Sequence, residues 1–98
     1  KRASAFHGTP LAGILRAAGV DTILVTGVTA TACVRTTICD GLAEGFRTIA
    51  VRDCIGDRVP GAVAWNLYDI DAKFADVHSA DECVAYLETV NGARAAAE

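Results

Sequence analysis

Apolar and β-branched residues concentrate in two short runs, residues 22–26 (TILVT) and 48–51 (TIAV), each bounded by glycine or charged residues. Short uninterrupted runs of this kind are the mark of parallel strands buried on both faces. Around them the apolar positions recur at helical spacing. Leu11, Ile14, Leu15 and Ala18 share one face of a helix predicted to start from Thr9 as N-cap with Pro10 at the first helical position, and to stop at Gly19. Residues 32–44 predict a second helix with Val34, Ile38 and Leu42 on one face and Gly45 as its stop. Residues 61–74 are less regular, although Ala64, Leu67, Ile70 and Phe74 share a face, and residues 75–78 predict a further short strand. Ser79 and Glu82 form a capping box ahead of a last helix whose Cys83, Val84, Leu87 and Val90 are expected to face inward, with residues 93–98 fraying.

Helices alternating with strands define an α/β fold with a parallel sheet, and the absence of repeats or Pro- and Ser-rich linkers makes residues 1–98 part of one domain. Parallel sheets with helices on both faces usually have about four to six strands. Only two or three are visible, so the others are expected upstream. The sequence also starts with Lys1 and has no Met among its 98 residues, which fits a piece of a longer product.

Charge narrows the function classes. Twelve acidic and nine basic side chains give a net charge of −3 without runs of either sign, so no basic stripe exists to neutralise nucleic-acid phosphates or to bind an anionic membrane surface. No apolar stretch approaches the roughly 20 residues a membrane helix needs. Cys33, Cys39, Cys54 and Cys83 contain no CxxC pair, and their separations do not match a zinc site. They read as free thiols of a reducing compartment, hence a cytoplasmic protein.

In an open parallel sheet, ligands bind beyond the carboxyl ends of the strands. The residues after Thr26 and after Arg52 are therefore the places to look. The first segment, GVTATAC at residues 27–33, is built of small residues that permit close backbone approach and ends on Cys33, at or just inside a helix N-terminus. Such a position favours thiolate, and the unpaired N–H groups there suit an oxyanion. The simpler alternative for Cys33 is a small buried hydrophobe. For Cys39, Cys54 and Cys83 that alternative is the stronger. The second segment, DCIGDRVPG at residues 53–61, puts Arg58 in a loop on the same sheet edge, where its planar fork can grip a carboxylate. The alternative is a surface Arg58 paired with Asp57 or Asp53. A nucleotide site is disfavoured, because GxGxxG and the Gly-Lys-Ser/Thr of a phosphate loop are both absent. Neither histidine is well placed as a base for Cys33: His7 precedes a helix and His78 adjoins the Ser79 cap. Asp69 and Asp71, two apart on a helix, do not face each other and are expected to be exposed or to pair with Arg and Lys73.

Taken together, RASAFHGT (residues 2–9), GVDTILVTGVTATACVRTT (19–37), GFRTIAVRDCIGDRVPG (45–61) and WNLYDIDAKFADV (65–77) resemble the isochorismatase-like cysteine hydrolases. The resemblance implies a three-layer α/β/α Rossmann-like fold and an Asp-Lys-Cys triad in which Cys33 is the nucleophile. It further implies a non-proline cis peptide at Val28–Thr29, an oxyanion hole from the N–H groups of Thr29 and Cys33, and Arg58 as the holder of a substrate carboxylate. The triad lysine falls one residue upstream of Lys1, and no aspartate of this sequence matches the triad position. The resemblance thus implies the C-terminal part of an amidohydrolase that cleaves the amide or ureido C–N bond of a small carboxylated substrate and releases ammonia. It implies no cofactor, and a homo-oligomer. The 98 residues alone are expected to be inactive and to aggregate. The rival readings are a non-catalytic binding or assembly domain that keeps the fold, and another hydrolase of the family such as an isochorismatase or nicotinamidase.

Overall fold

A computed structural model describes residues 3–97. Its elements run α1 (Leu11–Ala17), β1 (Thr22–Val28), α2 (Cys33–Ala43), β2 (Arg47–Gly56), α3 (Ala62–Lys73), β3 (Asp76–His78) and α4 (Ala80–Ala97). The three strands form one parallel sheet in the order β1-β2-β3. Side chains alternate across it, as strand geometry requires. Ile23 and Val25 of β1, Ala50 and Ile55 of β2 and Val77 of β3 meet Val34 and Ile38 of α2 and Leu67 and Ile70 of α3. The intervening Leu24, Ile49 and Val51 turn to the other face and meet Ala80 and Cys83 of α4. The result is helix, sheet, helix: three layers, the α/β architecture expected.

Glycine makes one close approach possible. A Cβ on Gly41 of α2 would lie 2.9 Å from Ile23 Cδ1, 3.1 Å from Thr48 Cγ2 and 3.2 Å from Phe6 Cε2. Phe6 is buried there and stacks on Phe46 with ring centroids 5.7 Å apart. The SAF-x-GT stretch is a compact turn that feeds this contact: Ser4 Oγ accepts the N–H groups of Phe6 and His7, and the Thr9 hydroxyl donates to the carbonyls of Ala5 and Phe6. The Ala5 N–H donates to Thr37 Oγ1 at 3.1 Å, which fastens the turn to α2.

Several expectations need correction. Strand β2 does not end near Arg52 but continues to Gly56, so residues 53–56 of the supposed loop are strand. Its register jumps from Val25↔Ala50 to Gly27↔Ile55, and Arg52, Asp53 and Cys54 project as an exposed excursion. These three residues interrupt the apolar run, which is why the pattern stops short of Ile55. Cys54 is consequently exposed, not packed. Pro10, not Thr9, occupies the N-cap of α1; the Thr9 hydroxyl donates to Ala5 and Phe6, while its oxygen accepts the Leu11 N–H at 3.4 Å. No residue of α1 is buried, and Ile14 is exposed; the helix is held instead by Arg16, which donates to Glu44 and lies over the Phe46 ring. On α2, Leu42 is exposed, and on α4, Cys83 is buried while Val84 and Leu87 are exposed. The last helix continues to Ala97 instead of fraying from residue 93. Its start is as expected: Ser79 Oγ accepts the Glu82 N–H at 3.1 Å and Glu82 Oε1 accepts the Ser79 N–H at 3.0 Å. From the β2 excursion, Asp53 Oδ1 adds a third bond by accepting the Ala80 N–H at 2.6 Å.

Candidate active site

At the carboxyl end of β1 the chain leaves the sheet through Gly27, at φ +119°, and a cis peptide between Val28 and Thr29. A positive φ of this size is one that glycine adopts freely and other residues resist. The Thr29 carbonyl then accepts the N–H groups of Ala32 (3.2 Å) and Val34 (3.1 Å), which starts α2. Between those two donors the Cys33 N–H has no acceptor among the described residues, as expected in the first turn of a helix. Cys33 is exposed, which removes the reading of a small buried hydrophobe.

The neighbouring loop after β2 is tied to this one by three bonds. The Ala30 N–H donates to the Gly56 carbonyl at 2.9 Å, and Asp57 Oδ2 accepts both the Thr31 N–H (3.1 Å) and the Thr31 hydroxyl (2.7 Å). Asp57 Oδ1 accepts the Val59 N–H at 3.1 Å. The Thr31 hydroxyl and then the Val59 N–H hold the Asp57 carboxyl below its ordinary value. Arg58 stands between Asp57 and Val59, exposed, with no ion pair or hydrogen bond of its side chain among the described residues. Pairing with Asp57 or Asp53 is therefore not observed, since both carboxylates are engaged elsewhere. The two segments singled out in the sequence do converge on one sheet edge, bringing together Val28, Thr29, Cys33 and the loop that carries Arg58.

Beneath this edge a polar clamp joins α2 to α3. Arg35 donates through Nη1 to Asn66 Oδ1 at 3.1 Å and through Nη2 to Asp69, and lies 5.6 Å from the Phe74 ring centroid. Lys73 Nζ sits 2.7 Å from Asp69 Oδ1. The buried Asn66 completes its bonding by donating to the Ala62 carbonyl at 2.8 Å. Asp69 is the partner of Arg and Lys73 that the sequence suggested. Its carboxyl is held below 3.8, first by Lys73 and then by Arg35, and that of Glu82 below 4.5, chiefly by Ser79. A lowered carboxyl contributes stability that is present above its unfolded-state value and is lost as pH falls through the folded-state value. The thermal midpoint is therefore expected to stay level from neutral pH to about pH 5 and to fall below it. Asp69→Asn should flatten the acid limb, a change that circular dichroism melts across pH would record.

His7 lies in the turn before α1, and His78, at the end of β3, has its Nδ1 3.4 Å from Glu82 Oε2 of α4; neither is bonded to Cys33. Lys1 lies outside the described residues. Among the described residues no cluster of His, Cys, Asp and Glu side chains is arranged to hold a metal ion, and no helix is long and apolar enough to cross a membrane. Sequence reasoning missed the tie made by Asp57. Only its Val59 half had a local signal, an aspartate two residues before an N–H it can accept at the end of a strand, which is an Asx turn; the Thr31 half had none.

The parallel sheet thus delivers an exposed cysteine, at the start of the helix after its first strand, to the edge beyond the strands' carboxyl ends where open α/β sheets bind ligands. The Isochorismatase domain matches residues 1–82, and the chain belongs to that family. It is 57% identical over 89 residues to the N-carbamoylsarcosine amidase of an Arthrobacter species, covering 91% of this chain and 34% of that protein. It is 42% identical over 90 residues to the maleamate amidohydrolase of Pseudomonas putida, covering 92% of this chain and 42% of that protein. An isochorismatase-like hydrolase from Alkaliphilus metalliredigens superposes with a TM-score of 0.83 at 30% identity, over 88% of this chain and 48% of that one. The chain thus spans less than half the length of each of these relatives.

Proposed function

We propose that residues 1–98 carry the nucleophile-bearing, C-terminal part of a cysteine amidohydrolase that cleaves the amide or ureido C–N bond of a small carboxylated compound, N-carbamoylsarcosine-like in chemistry. The observation that carries this reading is the exposed Cys33 at the start of α2, on the same sheet edge as the unpaired Arg58 and joined to its loop through Asp57. The named activities of the amidohydrolase relatives support it. In this reading the Cys33 thiolate adds to the substrate carbonyl carbon, and the oxygen takes up charge against the N–H groups of Thr29 and Cys33. The C–N bond breaks, ammonia leaves with a proton, and water hydrolyses the thioester to regenerate the thiol. Arg58 holds the substrate carboxylate with its fork and so orients the carbonyl toward sulfur. The proton acceptor for Cys33 is an aspartate, and its charge partner a lysine, both supplied by sequence preceding Lys1. The four free thiols fit a reducing, cytoplasmic setting, and the exposed, stacked Trp65 and Tyr68 on α3 suit contact between copies in a homo-oligomer.

The test uses the longest natural chain that contains these residues. Ammonia release is measured with N-carbamoylsarcosine, maleamate and their uncharged amide counterparts, before and after alkylation by iodoacetamide. Turnover of a carboxylated compound, lost in step with labelling of the Cys33 peptide and protected by that compound, is the expected result. Full turnover after stoichiometric labelling of Cys33 would remove the proposal.

A further inference from the structure

The Asp57 side chain bonds to both loops at once. Through Oδ2 it takes two donors of Thr31, a residue two positions after Thr29 and two before Cys33. Through Oδ1 it takes the Val59 N–H, directly after Arg58. Its two oxygens therefore brace the segment that presents the nucleophile and the segment that presents the carboxylate grip. A single carboxylate does this without a competing cation: among the described residues Asp57 has no ion pair.

We infer that Asp57 is a positioning residue that fixes the span between Cys33 and Arg58, and thereby selects carboxylated amides by the number of bonds between their carboxylate and their scissile carbonyl. The inference rests on the roles of Cys33 and Arg58 proposed above. Its physical basis is that bound reactants gain rate only when held close to the productive geometry, and that a misplacement of about 1 Å costs on the order of a hundredfold. The Arg58 side chain is exposed and makes no bond among the described residues, so its reach is set by the main chain on either side of it, and Asp57 fixes that main chain. With the span fixed, a substrate one methylene too long or too short presents its carbonyl off the sulfur. With the span loose, Arg58 follows the substrate and the length preference fades.

Two substitutions separate the two halves of the brace. In Asp57→Asn the remaining carbonyl oxygen still accepts from Thr31, while the amide NH₂ cannot accept the Val59 N–H. The Arg58 side is then freed and the Cys33 side kept. Asp57→Ala frees both. The probes are N-carbamoylglycine, N-carbamoyl-β-alanine and N-carbamoyl-4-aminobutanoate, which differ by one methylene each, assayed for ammonia release in the longest natural chain. The unaltered protein should separate its preferred member from its neighbours by about tenfold or more in kcat/KM. Asp57→Asn should compress that ratio to within about threefold, with KM for the preferred member raised and kcat nearly kept. Asp57→Ala should compress it equally and lower kcat as well. If Asp57→Ala does not fold, Asp57→Asn and Thr31→Val carry the test, the latter predicted to lower kcat with less effect on the ratio. A common factor of loss across all three probes, with the ratio unchanged in Asp57→Asn, overturns the inference while Cys33 alkylation still abolishes turnover. Turnover that survives Cys33 alkylation, or no turnover by the unaltered protein of these probes, N-carbamoylsarcosine or maleamate, overturns the functional reading beneath it and the inference with it; turnover of the last two with none of the three probes overturns the inference alone.

Discussion

Cys33→Ala is expected to lower kcat for ammonia release by at least about a thousandfold, because removal of a nucleophile leaves only binding and oxyanion stabilisation to act on the substrate. Its effect on folding should be close to nothing. Cys33 is exposed, and the hydrogen bonds that start α2, from Ala32 and Val34 to the Thr29 carbonyl, are main-chain bonds that the substitution does not touch. An exposed substitution of this kind changes stability by no more than about 0.5 kcal/mol. The variant should still bind the carboxylated substrate through Arg58, so titration calorimetry should give a Kd for Cys33→Ala where the steady-state assay gives no rate. This triple result, lost turnover, kept folding and kept binding, is specific to a nucleophile. Retention of a tenth or more of the activity would point to chemistry carried by another group. A fall in unfolding midpoint to match the fall in rate would make Cys33 a structural residue.

The hydrophobic pattern located the sheet because TILVT and TIAV have few other conformations in which to bury both faces, and it located α2 and the capping box of α4 because local spacing and local caps decide those. Periodicity reports that a face is apolar without reporting what covers it. Ile14, Val84 and Leu87 have the spacing of core residues and are exposed. Strand β2 was truncated for a different reason: Arg52, Asp53 and Cys54 read as the end of a strand, whereas the chain leaves the ladder and rejoins it at Ile55. That excursion is decided by pairing with β1 and by the bond from Asp53 to Ala80, both remote in sequence.

At the candidate site, Cys33 and Arg58 could be singled out from the sequence and the residues that brace their segments could not. Cys33 and Arg58 stand out because small residues and a lone arginine follow the strands. Exposure of Cys33 was open until the Thr29 turn was seen. Asp57 and Arg35 could not be assigned, because their partners, Thr31 in one case and Asn66 and Asp69 in the other, are 26 to 34 residues away. Between charged residues at such separation, composition leaves many pairings open, and only the packing of α2 against α3 selects one.

Ile38→Ala should be the most damaging truncation in the core of α2, at about 2–5 kcal/mol. Ile38 is fully buried, in the cluster that joins β1 and β2 to α3, and removing three carbons there costs both their transfer from water and the cavity left behind. Ile38→Val, which removes one carbon, should cost about 0.5–1.5 kcal/mol. Ile14→Ala is the internal control: the same residue type, spaced for a core face, but 59% exposed, and expected to shift stability by no more than about 0.5 kcal/mol. Urea unfolding of the longest natural chain measures all three, read as a shift of midpoint at constant slope. Ile70 is equally buried in the same cluster, so Ile38→Ala and Ile70→Ala together should depart from the sum of the single effects. Equal losses at Ile14 and Ile38 would mean that the α1 face is covered as deeply as the α2 face, and would overturn the assignment of the core to the side of the sheet where α2 and α3 pack.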